Sequence, residues 1–160
     1  MKKLLTIFIS LFIITNSYPL ALGGGIALEN LAGEKGTDPY LALKADFTVP
    51  FISIIDYRFG FLLLSLQKNY KSLSLGSGLY SDFLINVDIP LLVKLYFPLG
   101  LSLTKILEEN GSTIIAFKGG IGGEKDFLLL KGYLEAGINI NKIEKTKKSF
   151  YLQIGFKKDL

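Results

Sequence analysis

Residues 83–97 read Phe-Leu-Ile-Asn-Val-Asp-Ile-Pro-Leu-Leu-Val-Lys-Leu-Tyr-Phe, and an apolar side chain occupies every odd-numbered position. All the polar side chains of this stretch fall on the alternate positions, namely Asn86, Asp88, Lys94 and Tyr96. A period of two is typical of a β-strand that has one apolar face and one polar face. The stretch therefore predicts a strand over residues 83–97.

The same alternation recurs along the rest of the chain. It predicts strands over residues 40–49, 52–64, 113–122, 128–140 and 149–156. Two further strands, richer in glycine, are predicted over residues 22–29 and 71–80. The sequence thus predicts an all-β fold of about eight strands, arranged as a closed antiparallel up-and-down β-barrel that occupies residues 22–160.

The predicted connections between strands alternate in length. Short connections fall near Pro50, at residues 81–82 and at residues 123–126, whereas longer polar ones fall at 30–39, 67–70, 98–112 and 141–148. Short turns at one end and long loops at the other are typical of outer-membrane barrels. Residues 98–112 also alternate and are compatible with a ninth strand or a short helix; because such barrels have an even strand number, we predict a loop.

The polar strand faces carry charged side chains at mid-strand. Hydrocarbon cannot solvate these groups, so in a membrane barrel they have to point into the interior. An eight-stranded barrel is just wide enough for its side chains to fill it, which predicts a polar plug and no open pore. The predicted interior ion-pair network comprises Lys44, Asp46, Asp56, Arg58, Asp88, Lys94, Lys118, Lys131 and Glu135.

Arg58 is the only arginine of the chain, and the pattern places it on the charged face. A buried guanidinium has to be compensated by carboxylates. We therefore expect Arg58 to pair with Asp46, Asp56 or Asp88. The alternative is a soluble periplasmic β-barrel that binds a small apolar ligand, and the two interpretations differ in which strand face points outward.

The N-terminal residues predict export. Lys2 and Lys3 precede an apolar run over residues 4–14, and small residues follow, so residues 1–21 are predicted to be a signal peptide cleaved between 17 and 23. The chain has no cysteine, which excludes a lipoprotein and a disulfide framework. It also has no histidine, the commonest general base and a usual zinc ligand, so we predict no catalytic residues, cofactor or metal site.

The charge distribution bears on partners. The formal charge of +4 includes the two signal-peptide lysines, and this mild excess does not indicate nucleic-acid binding. Lysines crowd one predicted hairpin at Lys142, Lys145, Lys147 and Lys148. A solvated hairpin tip explains such a cluster, and so does an external basic patch that meets anionic lipopolysaccharide.

Three segments resemble parts of small bacterial outer-membrane β-barrel proteins, the eight-stranded type of OmpX and the OmpA barrel. Val87–Phe97, with Asp88-Ile89-Pro90-Leu91-Leu92, is similar to a recurrent strand of these proteins. Residues 23–26 (Gly-Gly-Gly-Ile) and 151–156 (Tyr-Leu-Gln-Ile-Gly-Phe) are similar to their first and last strands. The resemblance implies a non-enzymatic envelope protein, with membrane lipid or lipopolysaccharide and the outer-membrane assembly machinery as partners.

Overall fold

The computed structural model describes residues 20–31, 39–69, 72–87, 93–106, 113–142 and 146–160. These residues form eight strands that close into one antiparallel barrel in sequential order. The strands are β1 (Ala21–Leu31), β2 (Tyr40–Ile52), β3 (Ile55–Asn69), β4 (Ser72–Val87), β5 (Lys94–Ile106), β6 (Thr113–Phe127), β7 (Leu130–Lys142) and β8 (Thr146–Asp159). The predicted fold class is confirmed.

The barrel closes between its first and last strands. Leu22 pairs with Lys158, Ile26 with Ile154 and Leu28 with Leu152. A register shift follows Leu28, and Asn30 there adopts a positive φ of 58°. Closure leaves no unpaired sheet edge. The described residues contain no helix that is long and apolar enough to cross a membrane.

The two ends of the barrel differ. We call the end at which β1 begins and β8 finishes the proximal end; it carries the β2–β3, β4–β5 and β6–β7 connections. Two of these connections are two-residue turns, Ser53-Ile54 and Leu128-Leu129. The opposite end is the distal end, and its connections span residues 32–39, 70–71, 107–112 and 143–145.

The outer wall of the barrel is apolar. Of ten side chains that the alternation places on the apolar face, seven are exposed and three are partly exposed. The exposed ones are Leu43, Phe47, Phe61, Leu130, Leu134, Leu152 and Ile154, and the partly exposed ones are Phe59, Val93 and Leu95. A soluble barrel with an apolar core would place them inside, so the structure contradicts that alternative.

The prediction of one strand over residues 83–97 is wrong. β4 ends at Val87 and β5 begins at Lys94, so that Phe83 pairs with Leu99 across the hairpin. In this hairpin odd-numbered residues of β4 pair with odd-numbered residues of β5. The outward-facing residues are therefore odd-numbered both before and after the turn. The period of two therefore gave no sign of the reversal. Pro90, which cannot donate a ladder hydrogen bond, was the cue in the sequence.

Several predicted connections are wrong for the related reason that real strands extend through them. Residues 98–106 belong to β5 and are neither a loop nor a ninth strand, while 107–112 lie outside the described residues. Residues 81–82 lie within β4, and 123–126 lie within β6. The long loop predicted at 67–70 is also wrong, because β3 reaches Asn69 and β4 begins at Ser72. Residues 1–19 of the predicted signal peptide lie outside the described residues.

Four inward-pointing tyrosines each lie over a glycine of the neighbouring strand. The directly paired positions are Gly60 with Tyr80, Tyr96 with Gly122, Tyr133 with Gly155, and Gly137 with Tyr151. A Cβ atom at any of these glycines would collide with the tyrosine ring. The missing side chain therefore lets each ring lie flat against the barrel wall, which leaves room in the interior for charged groups.

We expect Gly60→Ala to destabilise the barrel by about 1–3 kcal/mol, because the added methyl group displaces the Tyr80 ring from a filled interior. Gly119→Ala is the matched control, since a Cβ there would lie 3.5 Å from Leu99 Cδ2, an ordinary contact. Its effect should stay within about 0.5 kcal/mol. Urea unfolding of both variants in detergent micelles measures the difference, and equal stabilities would contradict the proposed packing.

Candidate functional site: the charged barrel interior

Four charged side chains form a closed ring of ion pairs at the centre of the barrel. Arg58 Nη2 lies 2.5 Å from Asp82 Oδ2 and 2.9 Å from Glu135 Oε2. Lys118 Nζ lies 3.0 Å from Asp82 Oδ2 and 3.0 Å from Glu135 Oε1. Each cation therefore contacts both carboxylates, and the ring is electrically neutral.

The ring connects strands on opposite sides of the barrel. Arg58 lies on β3 and Glu135 on β7, which are half a circumference apart, while Asp82 lies on β4 and Lys118 on β6. All four residues expose less than a tenth of their surface. The ion pairs therefore span the barrel interior from one wall to the opposite one.

Tyrosines complete the central layer. The ring of Tyr80 has three cations near its face, with Lys44, Arg58 and Lys118 at 5.2, 5.8 and 5.6 Å from its centroid. Its hydroxyl donates to Asp46 Oδ2 at 2.8 Å. The face of an aromatic ring attracts cations, most strongly where water is excluded. Tyr80 therefore contributes to charge compensation as well as to filling space.

A second polar layer lies on the distal side of the ring. Lys44 Nζ donates to Glu29 Oε1 at 2.5 Å and to Gln153 Oε1 at 3.1 Å. The other oxygen of Glu29 accepts from Asn139 Nδ2 at 2.5 Å, and Gln153 Nε2 donates to Tyr133 at 3.0 Å. All these groups are buried. The layer joins β1, β2, β7 and β8.

Neutral side chains close the interior still further toward the distal end. Asn141 Nδ2 donates to Asn30 Oδ1 and to Ser149 Oγ, both at 2.9 Å. Ser149 Oγ donates in turn to Asn30 Oδ1 at 2.8 Å. Asn30 lies within the register shift between Leu28 and Leu31, and its positive φ is one that asparagine tolerates better than most residues.

The proximal mouth holds a third charged group. Lys157 Nζ forms an ion pair with Glu124, and Lys131 Nζ lies 2.7 Å from Asp159 Oδ2. Lys94 lies 3.3 Å from Asp56 Oδ2, but its side chain is 46% exposed. These residues line a shallow cavity of about 150 Å³. The cavity lies at the proximal end of the interior and forms the mouth of the barrel.

The structure brings together part of the predicted interior network. Lys44, Asp46, Arg58, Lys118 and Glu135 are buried in the interior. Asp56, Lys94 and Lys131 are on the predicted face, but they lie at the partly exposed proximal mouth. Asp88 lies outside the described residues. Among the described residues Arg58 forms its ion pairs with Asp82 and Glu135 and not with the predicted Asp46 or Asp56, while the predicted pair with Asp88 is not tested.

Sequence reasoning missed several members of the interior. Asp82 and Glu124 were assigned to connections, while Glu29 and Lys157 were placed at or beyond strand ends. With the correct strand bounds, each of these residues is at a position whose side chain points into the barrel. The alternating burial of β6 and β8 shows this for Glu124 and Lys157. These residues were missed because the strand ends were predicted wrongly, and not because their residue types are unusual for the interior.

The predicted external basic loop is split by the fold. Lys142 and Lys148 are exposed and share the outward face of β7 and β8, where Lys148 pairs with Ile140. Lys147 is at an inward-facing position of β8 and is partly buried. Lys145 lies outside the described residues. Lys105 of β5 is also exposed on the outward face at the distal end, so three strands carry an outward lysine there.

Three solved structures of bacterial proteins share this architecture. Neisserial surface protein A is 14% identical, with a TM-score of 0.64 over 88% of this chain and 97% of that one. The N-terminal barrel domain of Pseudomonas aeruginosa OprF is 10% identical, with a TM-score of 0.57 over 87% and 96%. Ail, the attachment invasion locus protein of Yersinia pestis, is 12% identical, with a TM-score of 0.53 over 88% and 98%.

The chain has the fold of small outer-membrane barrels. No protein-family model matches it, and no curated protein gives a significant sequence match. At these identities the likeness describes the backbone alone. The interior charges described above are therefore properties of this chain, to be understood from its own residues.

Replacing Arg58 with Leu should lower the free energy of unfolding by about 3–5 kcal/mol, because it leaves Asp82 and Glu135 under-compensated at the barrel centre. Lys94→Leu is the matched control. This variant also removes the cation of an ion pair, but the pair lies at the exposed mouth. We expect it to lower the free energy of unfolding by less than about 1 kcal/mol. Urea titration of the folded fraction compares the two; an Arg58→Leu protein as stable as the control would refute the role of the ring.

Proposed function

We propose that the protein is a non-enzymatic barrel of the bacterial outer membrane that stabilises the envelope and presents its distal loops at the cell surface. The observation that carries the proposal is the inversion of polarity. Apolar side chains form the outer wall, while buried charges and amides fill the interior. Only a surrounding hydrocarbon phase makes this arrangement favourable, since the outer wall buries no apolar surface within the fold.

The contents of the interior support a plugged barrel and not a pore. The central layer crosses the lumen and connects opposite walls through Arg58 and Glu135, and the second layer adds buried contacts among the neighbouring strands β7, β8, β1 and β2. Opening a water-filled path would require several buried ion pairs to separate together. The export signal predicted for residues 1–21 and insertion by the outer-membrane assembly machinery fit the same proposal.

The outward lysines of the distal end suit an anionic partner at the membrane surface. Lys105, Lys142 and Lys148 point away from the barrel axis and are exposed. Proximal turns and distal loops of such barrels face the periplasm and the exterior, respectively, so these lysines would lie at the level of the external head groups. Lipopolysaccharide phosphates are the matching anions, since lysine binds phosphate as a point charge.

Expressed in a diderm bacterium, the protein should fractionate with the outer membrane and migrate faster on gels before boiling than after it. Reconstituted in planar bilayers, it should give no stepwise conductance, because the ion-pair ring obstructs the lumen. A known porin incorporated under the same conditions serves as the control. Recovery in the periplasmic fraction would contradict the membrane assignment, and regular conductance steps would contradict the plug.

The double variant Lys142→Gln/Lys148→Gln should retain several-fold less lipopolysaccharide after detergent purification, because two outward cations are lost at the distal end. Lys158→Gln is the control at the proximal end, where Lys158 is exposed on the outward face of β8. Assay of a sugar that lipopolysaccharide contains and phospholipids lack measures the lipopolysaccharide bound to the purified proteins. Equal retention in the double variant and the control would exclude these lysines as the contact.

A further inference from the structure

The β6–β7 turn breaks the usual rule for a two-residue hairpin. Leu128 has a φ of 50°, and its exposed fraction is 107%, while that of Leu129 is 81%. Glycine, asparagine or aspartate normally occupies such a turn, because bulky side chains disfavour a positive φ. Two leucines in a strained, uncovered position are unfavourable in water. They indicate contact with an apolar phase outside the barrel.

A groove runs along the outer wall beside this turn. It has a volume of about 430 Å³ and lies on the proximal halves of β6, β7 and β8. Gly123 and Gly132 line its floor at outward positions of adjacent strands, and Val93 and the Phe127 ring pack close beside them. Its walls are mostly apolar and include Val93, Phe127, Leu134, Ile154 and Phe156.

A cation stands at the rim of the groove. Lys125 lies directly opposite Gly132 in the β6–β7 ladder and lines the groove, with its Nζ 5.9 Å from the Phe127 ring centroid. Lys158 of β8 is also exposed on the outward face of this end. An occupant that combines a long apolar chain with an anionic head therefore matches both parts of the surface.

We propose that this surface is a binding site for an anionic glycerophospholipid of the periplasmic leaflet. One acyl chain lies in the groove, the head-group phosphate contacts Lys125, and the Leu128-Leu129 tip is immersed in the same leaflet. The proposal rests on the membrane location argued above and adds a preferred lipid and a place for it. Each methylene group buried in the groove contributes favourably, and an anionic head adds attraction to lysine.

A second copy of the chain fits this surface less well. In a two-fold symmetric pair the same patch faces itself, so the grooves would bring Lys125 and Lys158 of each copy toward like charges of the other. An anionic lipid instead neutralises Lys125. The charge distribution thus favours lipid over self-association.

The absence of tryptophan from the sequence makes a direct test possible, because one introduced tryptophan is the only such fluorophore. Phe156→Trp places it in the groove, and Phe83→Trp places it on the outward face of β4, on the far side of the barrel. Each full-length variant is reconstituted in phosphatidylcholine vesicles that contain a minor fraction of phosphatidylglycerol with brominated acyl chains. Bromine quenches tryptophan on contact, so quenching reports the local abundance of the anionic lipid.

We expect quenching at Phe156→Trp to correspond to about fivefold enrichment of phosphatidylglycerol over its bulk fraction. Quenching at Phe83→Trp should correspond to the bulk fraction itself. Adding Lys125→Gln to the groove variant should abolish the enrichment, whereas Lys105→Gln, an exposed outward lysine at the distal end, should not change it.

The outcomes separate this proposal from the membrane assignment. Equal quenching at the two positions, or enrichment that persists in Lys125→Gln, would overturn the lipid site while leaving the barrel in the membrane. If brominated phosphatidylcholine fails to quench either tryptophan in protein that remains folded, the membrane assignment itself is wrong. Loss of enrichment in the Lys105→Gln control would also overturn the site, since it would show that total charge and not Lys125 recruits the lipid.

Discussion

The interior of this barrel is organised by the need to compensate charge without bulk water. Arg58, Lys118, Asp82 and Glu135 compensate one another's charge in a closed ring, and a buried ion of this kind is tolerable only when its partners are in place. The other interior features follow from this constraint. Amide side chains satisfy the oxygen of Glu29 that Lys44 leaves free, and tyrosine rings occupy the space between charges.

The paired glycines show how the backbone accommodates that interior. A narrow barrel cannot hold long charged side chains and four tyrosines if every inward position also carries a Cβ atom. Removing the Cβ opposite each tyrosine solves the problem locally, since the ring then covers the exposed backbone of its partner strand. Glycine normally weakens a strand, and the cross-strand tyrosine offsets that weakness by packing over it.

The fold and the inward faces could be predicted from the sequence, whereas the strand ends could not. Alternation distinguishes the two faces, but a hairpin that pairs odd with odd positions keeps the same phase on both sides of its turn, as at Val87 and Leu95. The exposed leucines at 128 and 129 have no turn signature either, so β6 was predicted to end too early. The ion-pair partners of Arg58 could not be predicted from the sequence for a further reason. Arg58 and Glu135 are 77 residues apart, and only the closure of the barrel makes them neighbours.

The geometry of the ring also depends on the number of strands. Its members lie on β3, β4, β6 and β7, and each cation contacts one carboxylate from the first four strands and one from the last four. Many barrels are related by gain or loss of hairpins, which changes their circumference. Here a ten-stranded descendant would widen the lumen and separate Arg58 from Glu135, and a six-stranded one would lack ring members. This lineage could therefore change its size only by first replacing its interior, whereas its loops can vary freely.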